Sequence, residues 1–325
     1  MMRAIPGNDY PEVADACRMS SEPSVDAIRS VMRESGRRVR DAHGFSISLK
    51  GGVENIVTSA DIENERFLKE ELGALVPGSA FIGEEGDEAS PSDSEWAWIV
   101  DPIDGTANFS RGIPMCAVSA ALFRNSRPWA GFVINPFTDT LYEAVLGRGA
   151  FKDGRPIRVS ERGFDEALLS TAYCCYRKEL AMPCFEVSER LYPRINDIRR
   201  IGTAALELSL MAEGAGELYF EIRLSPWDHA AALTILKEAG GCYTGIGGDV
   251  SFEGPSPVLA ANSEENLKLL SDVVDDVFDG RVPYRRGLEG DRRSGTRGRP
   301  AAPRSRRPRG RPSANGRRGT ASNTR

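Results

Sequence analysis

The sequence predicts an α+β fold, and two patterns carry the prediction. Across residues 96–157, apolar runs rich in β-branched and aromatic types are separated by short turn signals, the mark of neighbouring antiparallel strands. Past residue 160, strand-like runs alternate with helix-like ones, as in an α/β unit. Two amphipathic helices come first, so the N-terminal half reads as helices on a largely antiparallel sheet. The chain divides into a loosely ordered lead (1–23), an N-terminal α+β half (24–160), a C-terminal α/β half (161–280) and a tail (281–325). Loops from both halves would meet at a site between them.

The first helix follows Ser24, a plausible N-cap, with Val25, Ile28, Val31, Met32 and Val39 on its apolar face. A glycine-rich turn at Lys50-Gly51-Gly52 leads through Asn55-Ile56-Val57-Thr58-Ser59-Ala60 to Asp61. Asp61 can cap the second helix, whose apolar positions are Ile62, Phe67, Leu68, Leu72 and Leu75. Phe81-Ile82-Gly83-Glu84-Glu85 is a short strand ending in two adjacent acids. On an extended backbone adjacent side chains point to opposite sides, so at most one of the two acids would face a given point.

Residues 96–100 (Trp-Ala-Trp-Ile-Val) form a buried strand that runs into Asp101-Pro102-Ile103-Asp104-Gly105-Thr106. Pro102 fixes its own φ and pushes Asp101 towards an extended conformation, so the chain turns stiffly where the acids sit. Gly105 permits close backbone approach, and the Gly105 and Thr106 N–H groups are free donors if a helix starts there. Two hard oxygen ligands beside an anion cradle suit Mg²⁺ holding a phosphate. Taken alone, the same residues also fit a plain acidic turn.

Residues 116–123 and 129–134 read as paired strands, 135–139 as a turn and 140–145 as the return. Asp153-Gly154 marks a hairpin tip. In the second half, residues 202–211 read as a helix opened by Gly202, and 216–221 as a strand ending in Glu221. A helix from Pro226 runs to residues 236–239 and is closed by Gly240-Gly241; Asp228 at its start reads locally as an N-cap.

Asp101-Pro102-Ile103-Asp104-Gly105-Thr106 resembles the core motif of the inositol monophosphatase family of Mg²⁺-dependent, Li⁺-sensitive phosphatases. Gly83-Glu84-Glu85 upstream, and Trp227-Asp228 with Ala230-Ala231 downstream, are similar to further motifs of that family in the same order. The resemblance covers roughly residues 24–272. It implies a layered α/β/α/β/α sugar-phosphatase-like fold and hydrolysis of an inositol monophosphate, such as inositol 1-phosphate, by metal-activated water. It further implies that Glu84, Asp101, the Ile103 carbonyl, Asp104 and Asp228 hold two or three Mg²⁺. Glu84 and Thr106 would orient and deprotonate the water while Asp61 holds the Thr106 hydroxyl, and Glu85 would assist. The Gly105 and Thr106 amides would face the phosphate. Gly202, Thr203, Ala204, Glu221, Asp104 and Asp228 would contact the substrate, and Lys50 would stand on a mobile loop near the metals. Ala232 departs from the family, in which many members carry Gly.

Fructose 1,6-bisphosphate, 3′-phosphoadenosine 5′-phosphate and histidinol phosphate are alternative substrates within the same fold. Asn108-Phe109 resembles the inositol phosphatases, whereas the nucleotidase and histidinol branches tend to carry Lys where this chain has Ala107. No phosphoenzyme is implied, since no Ser, Cys, His or Asp stands in a nucleophile-plus-base context. A homodimer is expected by the resemblance.

Composition sets the remaining bounds. The chain has 325 residues, 40% hydrophobic and 27% charged, ordinary for a soluble globular protein. Residues 281–325 hold fifteen Arg, no Lys and two acids, a net of +13; the chain total of −5 therefore leaves −18 on the other 280. The tail is rich in Arg, Pro, Gly, Ser and Ala and reads as disordered. It could bind RNA or another polyanion by counterion release, or be a dispensable extension. A non-enzymatic RNA- or protein-binding regulator that uses this tail is the alternative of another class. The six cysteines form no CxxC pair and there are two histidines, so a zinc site is not expected. Scattered thiols suit a reducing cytoplasm. The first nineteen residues lack the apolar core of a signal peptide, and no run approaches the length of a membrane span.

Overall fold

In the computed structural model the described residues are 22–50, 55–86, 90–175 and 177–278. Most of the expected lead and the whole Arg-rich tail lie outside them. The first helix, α1 (Val25–Arg40), starts where the cap signal places it: the Ser24 hydroxyl accepts from the Ala27 N–H. Its inward face carries Ile28, Val31, Met32 and Val39. A short antiparallel ribbon of β1 (Ile47–Leu49) and β2 (Ile56–Thr58) leads into α2 (Ser59–Leu75). The cap of α2 is Thr58, not Asp61; Asp61 stands one turn in and closes a capping box back onto Thr58.

The larger sheet has seven strands in the order β3 (Ala80–Gly83), β4 (Trp96–Asp104), β5 (Ala117–Arg124), β6 (Arg127–Asn135), β7 (Thr140–Val145), β8 (Ala150–Lys152), β9 (Arg155–Ile157). Only the β3–β4 pair is parallel. Strand β4 continues past Val100 to Asp104, because its pairing with β5 skips a register between Asp101 and Asp104. Pro102, which has no N–H for a ladder, falls inside that irregularity. At the β8–β9 tip, Asp153 and Gly154 take φ of 49° and 74°, as a two-residue hairpin turn requires.

After the one-turn helix α3 (Thr106–Phe109), the second half supplies α4 (Ala181–Leu191), α5 (Ala204–Ala212), α6 (Pro226–Glu238) and α7 (Glu264–Phe278). Its sheet runs β11 (Asp197–Arg199), β10 (Leu168–Thr171), β12 (Leu218–Leu224), β14 (Ser256–Ala261), β13 (Cys242–Thr244). The β10–β11 and β10–β12 pairs are parallel and the others antiparallel, so this half is mixed rather than purely parallel. Strand β12 passes through Glu221 instead of ending there.

Two cores give the layers. One joins α1 and α2 to a face of the large sheet through Ile28, Met32, Leu68 and Leu72 against Trp98, Val118, Phe132 and Ile134. The other packs α5 and α6 between the sheets, with Ile99, Phe123 and Val133 on one side and Tyr219, Val258 and Ala260 on the other. Helices α4 and α7 pack together, and α7 covers the outer face of the second sheet. The order is therefore α/β/α/β/α, an α+β architecture with α6 at its centre. That position demands a close approach at Gly131 of β6, where a Cβ would lie 2.2 Å from the Ala231 carbonyl oxygen of α6. No helix among the described residues is long and apolar enough to cross a membrane.

Candidate active site

The end of β4 is held from three sides. Asp101 Oδ1 accepts the Ile103 N–H at 2.9 Å, shaping the Pro102 turn. Asn64 of α2 donates through Nδ2 to the Pro102 carbonyl at 2.8 Å, and Ser35 of α1 donates to Asn64 Oδ1 at 2.9 Å. Asp104 Oδ2 accepts from Thr203 Oγ1 at 2.6 Å and from the Ala205 N–H at 2.7 Å, so a strand carboxylate receives the first turn of α5. Gly105 follows at φ 89°, a left-handed conformation that suits glycine. A Cβ there would stand 3.2 Å from the Met115 carbonyl and 3.3 Å from that of Gly202. Asn108 ties the same turn to the second half, donating to the Met115 and Ile201 carbonyls at 2.7 and 2.9 Å.

Thr106 Oγ1 lies 3.0 Å from Asp61 Oδ1 and 2.9 Å from the Ile103 carbonyl. A hydroxyl has one hydrogen, so it donates to one of these acceptors at a time. Asp61 can serve two tasks because its oxygens are separate: Oδ2 accepts the Thr58 N–H at 2.9 Å, which leaves Oδ1 for Thr106. Asp228 repeats the device. The cap of α6 is Ser225, not Asp228, whose Oδ2 accepts the Ser225 N–H at 2.7 Å.

Lys50 bridges the two acids after β3. Its Nζ stands 3.2 Å from Glu84 Oε1 and also bonds Glu85. Both acids reach Lys50 because the strand ends at Gly83 and they follow on a bend, yet only Glu84 lines the cleft, in keeping with the expectation that at most one would face a given point. Glu85 is held further by its own N–H, which donates to Glu65 Oε2 at 2.8 Å.

Glu84, Asp101, Ile103, Asp104, Gly105, Thr106, Gly202, Thr203, Ala204, Glu221 and Asp228 all line one cleft of roughly 180 Å³. Asp61 stands behind Thr106, and neither Lys50 nor Glu85 is part of the lining. Sequence reasoning missed Arg200, Glu207, Cys175 and the place of Asn108 on the lining, and Asn64, Ser35 and Tyr219 in support. Tyr219 donates to Glu221 Oε2 at 2.8 Å, and Glu207 Oε1 accepts the Ile201 N–H at 2.7 Å. Ser35 and Asn64 had a signal: each is a polar residue at an inward-facing position of an amphipathic helix.

Burial pushes the cleft carboxylates towards their neutral forms, and their mutual repulsion adds to it. Asp101 and Asp228 lie well above the ordinary range for both reasons. Desolvation carries Glu84 up to about 7, against the pull of Lys50, and Asp104 up to about 6, against its Thr203 and Ala205 bonds. It lifts Glu221 to about 7 and Glu207 to about 8. Crowded buried carboxylates with so little positive charge are a poor resting arrangement and a good one for a bound cation. Oxygen donors alone suit a hard ion such as Mg²⁺. Among the described residues no three His, Cys, Asp or Glu side chains are drawn together as a metal-holding group, so the fit rests on this donor chemistry alone.

A family-wide sequence profile described as "Inositol monophosphatase family" matches residues 21–277. An inositol-1-monophosphatase of Rhizobium meliloti is 36% identical over 260 residues, which are 77% of this chain and 94% of that protein. The Nus factor SuhB of Escherichia coli is 31% identical over 229 residues, 70% of this chain and 86% of that one. Among solved structures, the extragenic suppressor protein SuhB of Bartonella henselae is similar with a TM-score of 0.71 and 32% identity; the match covers 77% of this chain and 97% of that one.

Proposed function

The chain belongs to the inositol monophosphatase family and is a phosphatase, a phosphoric monoester hydrolase; on that premise we propose that it hydrolyses an inositol monophosphate, inositol 1-phosphate foremost, with Mg²⁺. Glu84, Asp101, the Ile103 carbonyl, Asp104 and Asp228 would hold two or three ions. Held by these residues, such ions would supply a lowered pKa for a bound water and neutralise charge on the phosphate and the leaving oxygen. Thr106 gives its hydrogen to Asp61 Oδ1, which turns an oxygen lone pair towards the attacking water. Glu84, as the carboxylate, would take the proton that this water loses. The Gly105 and Thr106 amides face the phosphate, while Gly202, Thr203, Ala204 and Glu221 position the alcohol part.

One observation supports this reading above the others: Glu84, Asp101, Asp104 and Asp228, from three separate stretches of chain, share a cleft with a hydroxyl that bonds a buried aspartate. Fructose 1,6-bisphosphate, 3′-phosphoadenosine 5′-phosphate and histidinol phosphate are the alternative substrates. Li⁺ inhibition, a homodimer and a cytoplasmic setting complete the proposal; the free thiols of Cys116, Cys174, Cys184 and Cys242 suit that setting. A second role, binding RNA or protein through residues 281–325, has one observation in its favour, the likeness to a protein named a Nus factor.

The test is phosphate release with Mg²⁺ from these four substrates, beside Asp101→Asn. Inositol 1-phosphate should be preferred, and the variant should lose on the order of a hundredfold or more in kcat/KM. Release from none of them while Mg²⁺ still binds would sink the assignment.

A further inference from the structure

One face of α2 supports the cleft at three points. Asn64 and Glu65 follow Asp61 by three and four positions, so these buried side chains leave the helix together. Asp61 accepts from Thr106 and Asn64 donates to the Pro102 carbonyl, both near the end of β4. Glu65 turns instead to the bend after β3, where its Oε2 accepts the Glu85 N–H at 2.8 Å.

That bend is wrapped closely around the Glu65 carboxyl group. A Cβ on Gly83 would stand 2.5 Å from Glu65 Cδ and 2.9 Å from Oε1, and one on Gly86 3.1 Å from Oε1. The two glycines thus flank Glu84 and Glu85 where the backbone passes over the carboxyl. Strand β3 is the edge of its sheet, with β4 as its one neighbour, and its pairing ends at Gly83. Among the described residues no other side chain bonds the backbone of Glu84, Glu85 or Gly86. Lys50 reaches the two acids only through their side chains, which leaves their backbone free to turn. A turn of this bend would take Glu84 off the cleft lining, and the bond from Glu85 to a buried side chain of α2 resists it.

We infer that Glu65 is a positioning residue: by accepting the Glu85 N–H it fixes the bend that puts Glu84 on the cleft, and so sets how tightly the cleft carboxylates take a divalent cation. This rests on the reading above in which Glu84 is a metal ligand.

The test is calorimetric titration of Mg²⁺ alone into the cation-free full-length chain. Wild type, Glu65→Ala, Glu65→Gln, Gly83→Ala and the double variant of Glu65→Ala with Gly83→Ala are compared, each shown folded by near-ultraviolet circular dichroism. Glu65→Ala should weaken Mg²⁺ binding by roughly tenfold to a hundredfold, the span of a lost partner that orients a metal ligand. Glu65→Gln keeps an acceptor oxygen and should recover most of that loss. Gly83→Ala should weaken binding as well, because its methyl displaces the end of a flexible side chain from Glu85. In the Glu65→Ala background the same substitution should change the affinity by less than about twofold, since the group it displaces is gone. In phosphate release from inositol 1-phosphate, the Mg²⁺ needed for half-maximal rate should rise in step. KM for the ester at saturating Mg²⁺ should stay within about twofold of wild type. Wild-type affinity in Glu65→Ala or in Gly83→Ala, or additive losses in the double variant, overturns the inference and leaves the phosphatase reading standing. A wild type that binds no Mg²⁺ overturns both the metal reading of Glu84 and this inference. Mg²⁺ binding without phosphate release overturns the proposed reaction alone.

Discussion

Asp61 divides its two oxygens between a helix and the cleft, and most carboxylates of the site carry a similar double demand. Burial raises them: Asp104 to about 6, Glu84 and Glu221 to about 7, Glu207 to about 8. The folded chain therefore keeps protons that the unfolded chain has released, so this stabilisation is present below the ordinary carboxylate range and is lost as pH rises from that range through about 6 for Asp104 and about 8 for Glu207. A bound cation replaces those protons. The melting temperature of the cation-free protein should fall between pH 6 and pH 8, and Mg²⁺ should raise it more at pH 8 than at pH 6. Scanning calorimetry reads both, and a Mg²⁺ shift that is equal at the two pH values would contradict the argument.

His229 has the opposite sign. It is fully buried in α6, neither ring nitrogen has a partner among the described residues, and desolvation lowers its pKa to about 3. The unfolded chain takes up a proton near pH 6.5 that the folded one refuses, so stability drains as pH falls from there towards 3, by about 1.4 kcal/mol per unit. Relative to His229→Leu, the wild type should lose about 1 kcal/mol between pH 7 and pH 5.5 in urea unfolding of the cation-free protein. Parallel losses in the two proteins would show that His229 finds a partner. Only the packing around α6 exposes this energetic consequence of His229.

Among the elements, β4 and α6 organise the rest. The sequence reading stops β4 at Val100, since a proline and two acids look like a turn. The sheet carries it on to Asp104 because an irregular register absorbs Pro102 without leaving a ladder donor unmet. Asn64 and Ser35 then satisfy the displaced Pro102 carbonyl from the helices behind. These partners belong to α1 and α2, and neither lies near the motif in sequence, so no local pattern reveals the contact. The same holds for α6, whose first turn carries Asp228 and whose backbone touches β6. Gly131→Ala would place a methyl 2.2 Å from the Ala231 oxygen, a backbone atom that cannot rotate away. It should cost about 1–3 kcal/mol and lower turnover as well, by shifting the helix that bears Asp228. Gly73→Ala is the control: its Cβ meets nothing within 4 Å, in a helix, and should stabilise by about 0.5–1 kcal/mol. Equal melting temperatures for the two variants would refute the close-approach argument.

At the scale of the molecule, charge is unevenly divided, with +13 on residues 281–325 and −18 on the rest. Every described residue of the cleft lies before the tail, so deleting 281–325 should leave kcat/KM for the phosphate ester within about twofold. Any binding to heparin or RNA should be lost, together with its steep salt dependence. Loss of turnover on deletion would give the tail a part in the enzyme.

The sequence by itself determined the α+β class, the first helix and its cap, the strand pairs around the central motif, and the stretches that bear acids. Each depends on short-range chemistry: periodicity, turn residues and the reach of one side chain to its own backbone. Even there the caps fell three residues early, on Thr58 and Ser225, because an aspartate at the third helical position mimics a cap in sequence. The tertiary structure alone decided which acids share a cleft, that Thr203 and Ala205 hold Asp104, that Asn64 supports Pro102, and that Arg200 faces the site. Those contacts join residues far apart in the chain, and the packing of two sheets around α5 and α6 is what sets their distance and burial. A carboxylate's identity is written in the sequence, but its neighbours and its water are set by the fold.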